Sequence, residues 1–122
     1  MSWKFTSDQP VYVQIEHRIK TDIISGVYRA EEQIPSVRQL AVEAGVNPNT
    51  VQRALSELEA QGILASENTA GRFVTSDEEV LQKLRTDEAE DLINRMISGA
   101  KNLGLTKEEI LKKIKESEGW DK

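Results

Sequence analysis

A mainly α-helical fold carrying one small β-hairpin is predicted for this chain of 122 residues, an α+β arrangement in which helix dominates. Three observations predict it. Apolar residues recur at helical spacing in five stretches. Helix-starting and helix-stopping residues stand at the ends of those stretches. One stretch, residues 63–75, instead pairs two short apolar segments around a polar tip, as a hairpin does. The composition also changes near Ser76. Residues 1–76 hold all three prolines and every Tyr and Phe, whereas residues 77–122 have none of these and consist almost entirely of helix formers. A mixed head (1–76) and a two-helix tail (77–122) follow.

The first helix is expected from Val11 to Ile24, where Tyr12, Ile15, Ile19 and Ile23 make an apolar stripe and Gly26 lies just past the end. Pro35-Ser36 opens the second: Ser36 as N-cap with Gln39 three residues on is a capping box. Val37, Leu40, Ala41 and Ala44 form its inner face, and Gly45 ends it. Asn47-Pro48 opens the third, with Asn as N-cap and Pro at the first helical position. Its stripe is Val51, Ala54, Leu55 and Leu58, and Gly62 stops it. The segments Ile63-Leu64-Ala65-Ser66 and Arg72-Phe73-Val74-Thr75, joined by Glu67-Asn68-Thr69-Ala70-Gly71, make the hairpin. In the tail, Leu81, Leu84, Leu92, Ile93, Met96, Ile97, Ala100 and Leu103 share one side of a helix from Glu78 to Asn102, which Gly104 breaks. Thr106 and Glu109 form a second capping box, Leu105 can staple onto Ile110, and Leu111 and Ile114 extend the apolar side. This helical pair has too little bulk for a core of its own. Its stripe must be buried against the head or against another chain.

Helix, helix, tight turn, helix, hairpin is the order of a winged helix-turn-helix, and the turn Gly45-Val46-Asn47 has the length that motif requires. The head also resembles the GntR family of bacterial transcription regulators. The residues that carry the resemblance are Pro10-Val11-Tyr12-Val13-Gln14-Ile15, Ile34-Pro35-Ser36-Val37-Arg38-Gln39-Leu40-Ala41, the run from Gly45 to Leu55, Leu58-Glu59-Ala60-Gln61-Gly62 and Gly71-Arg72-Phe73-Val74. The short tail is similar to that of the YtrA-type branch, and the resemblance implies two helices used for dimerisation in a repressor. The sequence departs from the family pattern at Thr69, where many relatives have Gly, and at Pro48 and Gln52, where many have Arg. Contacts that depend on those arginines do not carry over, and neither does an operator sequence.

In such a fold the third helix, residues 48–61, enters the major groove and the 63–75 wing lies beside it. Asn49, Thr50, Gln52 and Arg53 face outward with Ser56; Asn or Gln can pair with adenine and Arg with guanine. The resemblance implies a phosphate contact for Arg38. Ser36 caps a helix whose N-terminus presents N–H groups to a phosphate. Gly71 permits close backbone approach, and Arg72 can reach the minor groove or its phosphates. Each position also has a plainer reading. The helix residues can be ordinary solvated side chains, Arg38 can pair with Glu31 or Glu32, capping alone accounts for Ser36, and turn geometry alone accounts for Gly71.

Charge bounds the partner. The chain has 16 Lys+Arg and 21 Asp+Glu, net −5, and the head alone has 7 against 9. So few cations imply modest phosphate neutralisation, weak binding by one head, and useful affinity only from two heads on one duplex. Leu84, Leu92, Ile93, Met96, Ile97, Leu103, Ile110, Leu111 and Ile114 are the expected dimerisation residues. The expected partners are therefore a roughly two-fold-symmetric DNA operator, a second copy of the chain and an unidentified small-molecule effector.

No catalytic residues, metal or cofactor are expected. There is no Cys, and His17 is the only His, with no second His to complete a metal or nucleophilic site; no triad, paired-carboxylate or Gly-rich phosphate-loop pattern appears. The acidic run Asp87-Glu88-Ala89-Glu90-Asp91 is taken as a solvated face. Residues 1–9 lack the apolar core of a signal peptide, and no stretch approaches the roughly 20 apolar residues that span a bilayer, so a cytoplasmic location is expected. Trp3 and Phe5 are read as an N-terminal arm, and Trp120 as a seal on the last helix. Two alternatives stay open: a winged-helix module that binds protein through its acidic surface and apolar tail, and a sensor with a ligand pocket between tail and head.

Overall fold

The computed structural model describes residues 3–121; residues 1, 2 and 122, at the outer ends of the two predicted modules, lie outside the described residues. The elements run α1 (Val11–Ile24), α2 (Val37–Ala44), α3 (Pro48–Ala60), β1 (Leu64–Ser66), β2 (Arg72–Val74), α4 (Glu78–Asn102) and α5 (Lys107–Glu116), with a 3-10 turn at Glu118–Asp121. The mainly helical fold with one hairpin, read from spacing and caps, is the fold observed.

The chain divides into two compact units, one ending at Arg85 and the other beginning at Thr86. In the first, α3 packs against α1, α2 and β1. Its core gathers Ile15, Ile19 and Ile23 from α1, Leu40 and Ala41 from α2, and Val51, Ala54, Leu55 and Leu58 from α3, closed by Ile34, Ile63, Leu64 and Val74. The local devices behind these helices are those the sequence announces. Ser36 Oγ accepts from Gln39 N–H at 3.1 Å while Ser36 N–H donates to Gln39 Oε1 at 2.8 Å. Asn47 Oδ1 accepts from Asn49 N–H at 2.8 Å. Gly45 sits at φ +73°, and the N–H groups of Gly45 and Val46 both return to the Ala41 carbonyl. That left-handed residue turns α2 into α3 within three residues.

The hairpin pairs Leu64 with Val74, Ala65 with Phe73 and Ser66 with Arg72, antiparallel. A third segment, unpredicted, lies along the other edge of β2. Gln33 bridges to Phe73, Ile34 N–H donates to the Arg72 carbonyl at 3.0 Å, and Val74 N–H donates to the Glu32 carbonyl at 2.9 Å. The wing is thereby tied to the chain that leads into α2.

The first compact unit runs on past the expected module boundary at residue 76 to Arg85, and the first two turns of α4 pack on its core through Val80, Leu81 and Leu84. Leu84 is only 5% exposed within that core, so its side chain is not part of an exposed pairing stripe. The N-terminal arm packs on the head: Trp3 and Phe5 are half-buried against the core, Trp3 Nε1 donates to Glu43 Oε1 at 3.3 Å, and the Arg18 guanidinium lies 4.4 Å from the Trp3 ring centre.

The second unit holds the rest of α4, α5 and the 3-10 turn. Thr106 and Glu109 close the expected capping box. Among the described residues of this unit Ala100 alone is buried, while Leu92, Ile93, Met96, Ile97, Leu103 and Leu111 are exposed and Leu105, Ile110 and Ile114 half-buried. Met96, Ala100, Leu105, Ile110, Ile114 and Trp120 line a shallow groove of about 320 Å³. Trp120 touches that groove but is 78% exposed, so it does not seal the helix end. The expectation that this helical pair lacks a core of its own agrees with the burial pattern.

Candidate nucleic-acid interface

Three elements carry the predicted contact residues: the start of α2, the outer side of α3 and the wing. Arg38 is exposed in the first turn of α2 and makes no ion pair or hydrogen bond among the described residues, with neither Glu31 nor Glu32 engaging it. Its charge is uncompensated beside the capped helix N-terminus of Ser36. On α3, Asn49, Gln52 and Arg53 are exposed and Thr50 half-buried. Gln52 Nε2 donates to Ser56 Oγ at 3.1 Å, one turn along. Arg53 behaves differently. Its guanidinium lies 3.8 Å from the centre of the Tyr12 ring, and Nη2 donates to Tyr12 Oη at 3.2 Å. The outward row of α3 is therefore split, with Arg53 drawn toward α1 and the Gln52–Ser56 pair bonded within the helix.

The wing is braced from two sides. Gly71 stands at φ +108°, where an L side chain is strained, and a Cβ there would fall 2.7 Å from Gln33 Nε2. That same nitrogen donates to the Ala70 carbonyl, which pins the wing tip to the segment before α2. Arg72 Nε donates to Glu59 Oε1, and Ser66 Oγ donates to the same oxygen at 2.9 Å. The Arg72 hydrogen bond, helped by that from Ser66, holds the Glu59 carboxyl below the usual carboxylate range. Glu59, late on α3, stands directly on Arg72. The guanidinium of Arg72 is thus half-buried and partnered rather than free at the wing.

Tyr12, Gln33 and Glu59 contact the candidate residues or the wing that carries them, and the sequence did not single them out for that. These contacts join different elements, where no periodicity reports them. Glu16, one turn after Tyr12 on α1, is buried; desolvation, joined by the Glu57 charge, pushes its carboxyl up against the opposing charges of Lys20, His17 and Arg53.

Residues 11–74 of this winged head match the bacterial regulatory proteins of the gntR family, just over half of the chain. The chain belongs to that family. Along almost its whole length this gntR-family chain is similar to two proteins of Bacillus subtilis (strain 168). It is 35% identical to the "Uncharacterized HTH-type transcriptional regulator YhcF" over 94% of this chain and 95% of that protein. It is 30% identical to the "HTH-type transcriptional repressor YtrA" over 90% and 85%. Among solved structures, a GntR family transcriptional regulator from Listeria monocytogenes superposes with a TM-score of 0.83 at 38% identity, covering 93% of this chain and all of that one. The AraR DNA-binding domain in complex with operator ORX1 superposes with a TM-score of 0.54 at 28% identity, covering 62% of this chain and 93% of that one. These likenesses place the gntR-family chain in the short YtrA-like branch, as its sequence motifs anticipate. They also make it a regulatory protein rather than an enzyme. Among the described residues, no helix is long and apolar enough to cross a membrane.

Proposed function

We propose that this chain is a transcriptional repressor that binds a two-fold-symmetric DNA operator as a homodimer in the bacterial cytoplasm. The observation that carries the DNA reading is the likeness of the head to a domain solved on its operator. It is joined by an outward α3 surface of Asn49, Thr50, Gln52 and Arg53 and an unpartnered Arg38 beside the Ser36 cap. Ser36 and Arg38 serve the phosphate backbone, α3 reads base edges in the major groove, and the wing at Gly71 and Arg72 lies along the neighbouring minor groove.

The homodimer is supported by the tail. An apolar row of Leu92, Ile93, Met96, Ile97, Leu103 and Leu111 lies exposed in a unit whose described residues bury only Ala100, and a second copy is the partner that covers it. Ile110 and Ile114 flank that row. Two heads on one duplex then supply the affinity that one weakly cationic head lacks. A small-molecule effector that modulates this dimer completes the reading, its chemistry open.

Selection of bound fragments from the source genome at about 100 mM salt, where specific binding outcompetes the phosphate term, tests the proposal. Wild type is expected to enrich a symmetric site with half-sites about one helical turn, ~34 Å, or a multiple apart. Arg38→Ala and Arg53→Ala should lose it. Fragments without symmetry, or enrichment that both variants preserve, would refute the reading.

A further inference from the structure

We propose that Tyr12 is a positioning residue for Arg53: its ring and hydroxyl anchor the guanidinium, so that the N–H donors not spent on Tyr12 are held ready for the operator. The inference rests on the proposed DNA function of Arg53. It adds a residue of α1, outside the recognition helix, to the machinery that determines specificity.

The geometry supports this in three ways. Tyr12 stands in the first turn of α1, half-buried and packed against the head core. The Arg53 guanidinium carbon lies 3.8 Å from the ring centre, the separation of a stacked cation–π pair. The hydrogen bond from Nη2 to Oη at 3.2 Å gives the same guanidinium a second anchor at the edge of the ring. A guanidinium carries five N–H donors in one plane. One donor is spent on Tyr12 and the others stay available along the edge. A fork of this kind matches the O6 and N7 acceptors of guanine or two phosphate oxygens.

Electrostatics favour the same docked position. Glu16, buried one turn after Tyr12, feels the Arg53 charge, and so the α1 side offers the cation both a π face and a nearby carboxylate. A surface arginine without such support samples many rotamers and loses that freedom on binding, whereas a stacked one has surrendered most of it beforehand.

A double-mutant cycle separates positioning from packing. Tyr12→Leu keeps the apolar bulk and removes the π face; Tyr12→Phe keeps the face and removes only the hydroxyl. Each is combined with wild-type Arg53 and with Arg53→Ala. Binding is measured to the duplex enriched by the wild-type protein and to a scrambled duplex, with thermal melts to verify folding. ¹⁵N relaxation at Arg53 Nε is recorded in the free protein. Tyr12→Leu is expected to mobilise Arg53 Nε and weaken the enriched duplex by roughly 3- to 30-fold, the scale of arginine rotamer entropy. It should have no effect in the Arg53→Ala background or on scrambled DNA, and Tyr12→Phe, which keeps the ring and loses the hydroxyl anchor, should fall between wild type and Tyr12→Leu. Equal losses in both Arg53 backgrounds would overturn the proposal, as would an Arg53 Nε already mobile in the wild type. A symmetric duplex that binds Arg53→Ala as well as wild type would sink the positioning role while leaving the DNA function standing. Failure to enrich any duplex would instead remove the DNA function, and this inference with it.

Discussion

Replacing Ile93 by Ala should weaken self-association far more than it weakens folding, and the structure sets the size of the effect. Ile93 is 51% exposed on the second unit, so about half of its apolar surface remains to be covered by a partner. The substitution removes three carbons, which at about 0.8 kcal/mol per buried group would be worth about 2.4 kcal/mol if fully covered. Half of that, about 1.2 kcal/mol, is what pairing gains from one chain. In a two-fold dimer the same patch is used on both chains, so the loss doubles to about 2.4 kcal/mol, or roughly 50-fold in the dissociation constant. Sedimentation over a dilution series measures this directly. Val42→Ala, at an exposed apolar position of α2 in the head, is the control and should leave association unchanged. A wild-type protein that sediments as a monomer at tens of micromolar would refute the reasoning, and so would equal dimer constants for Ile93→Ala and Val42→Ala.

Further outcomes follow from the same geometry. Leu84→Ala should cost about 2–5 kcal/mol of head stability by cavity formation. Because the residue lies in the head core, urea unfolding of the monomeric form should move while the intrinsic dimer constant stays put. Gly71→Ala places a side chain at φ +108° and pushes Gln33 Nε2 off the Ala70 carbonyl. About 1–2 kcal/mol of strain and roughly 1 kcal/mol of lost hydrogen bond are expected in thermal melts, and a Gln33→Ala background should retain only the strain. The Glu59 carboxyl titrates below its ordinary value in the folded state because Arg72 and Ser66 hold it ionised. Its stabilising contribution is therefore complete above the unfolded carboxylate pKa and vanishes as pH falls through the lowered folded value. Urea midpoints between pH 7 and 3 should fall less steeply for Glu59→Gln than for wild type, and parallel acid limbs would contradict the assignment.

Much of this architecture is legible in the sequence because its determinants are local. A capping box spans three residues, a helical stripe repeats every three or four, and Gly45-Val46-Asn47-Pro48 announces both the end of one helix and the start of the next. Contacts that decide the state of the interface are not local in this sense. Tyr12 meets Arg53 across 41 residues and Gln33 meets Ala70 across 37, and neither pair belongs to any repeat. Leu84 shows the converse limit. Helical periodicity says that Leu84 and Ile93 point inward from a helix but not what each will meet; the head core covers the first and leaves the second bare. The third segment along β2 is illegible for a related reason, since Glu31, Glu32 and Gln33 have no apolar alternation and meet β2 itself through backbone hydrogen bonds.

The carboxylate of Glu59 stands against Arg72 as a phosphate oxygen would. Under the proposed reading of the wing, engaging DNA there exchanges one anion for another, and the exchange is the same whatever bases lie beneath. It therefore lowers affinity for random and operator sequence alike and cancels from the ratio between them. What does not cancel is time: each stop at a wrong site is shorter, and a regulator that must scan a whole genome reaches its few correct sites sooner for leaving the others quickly.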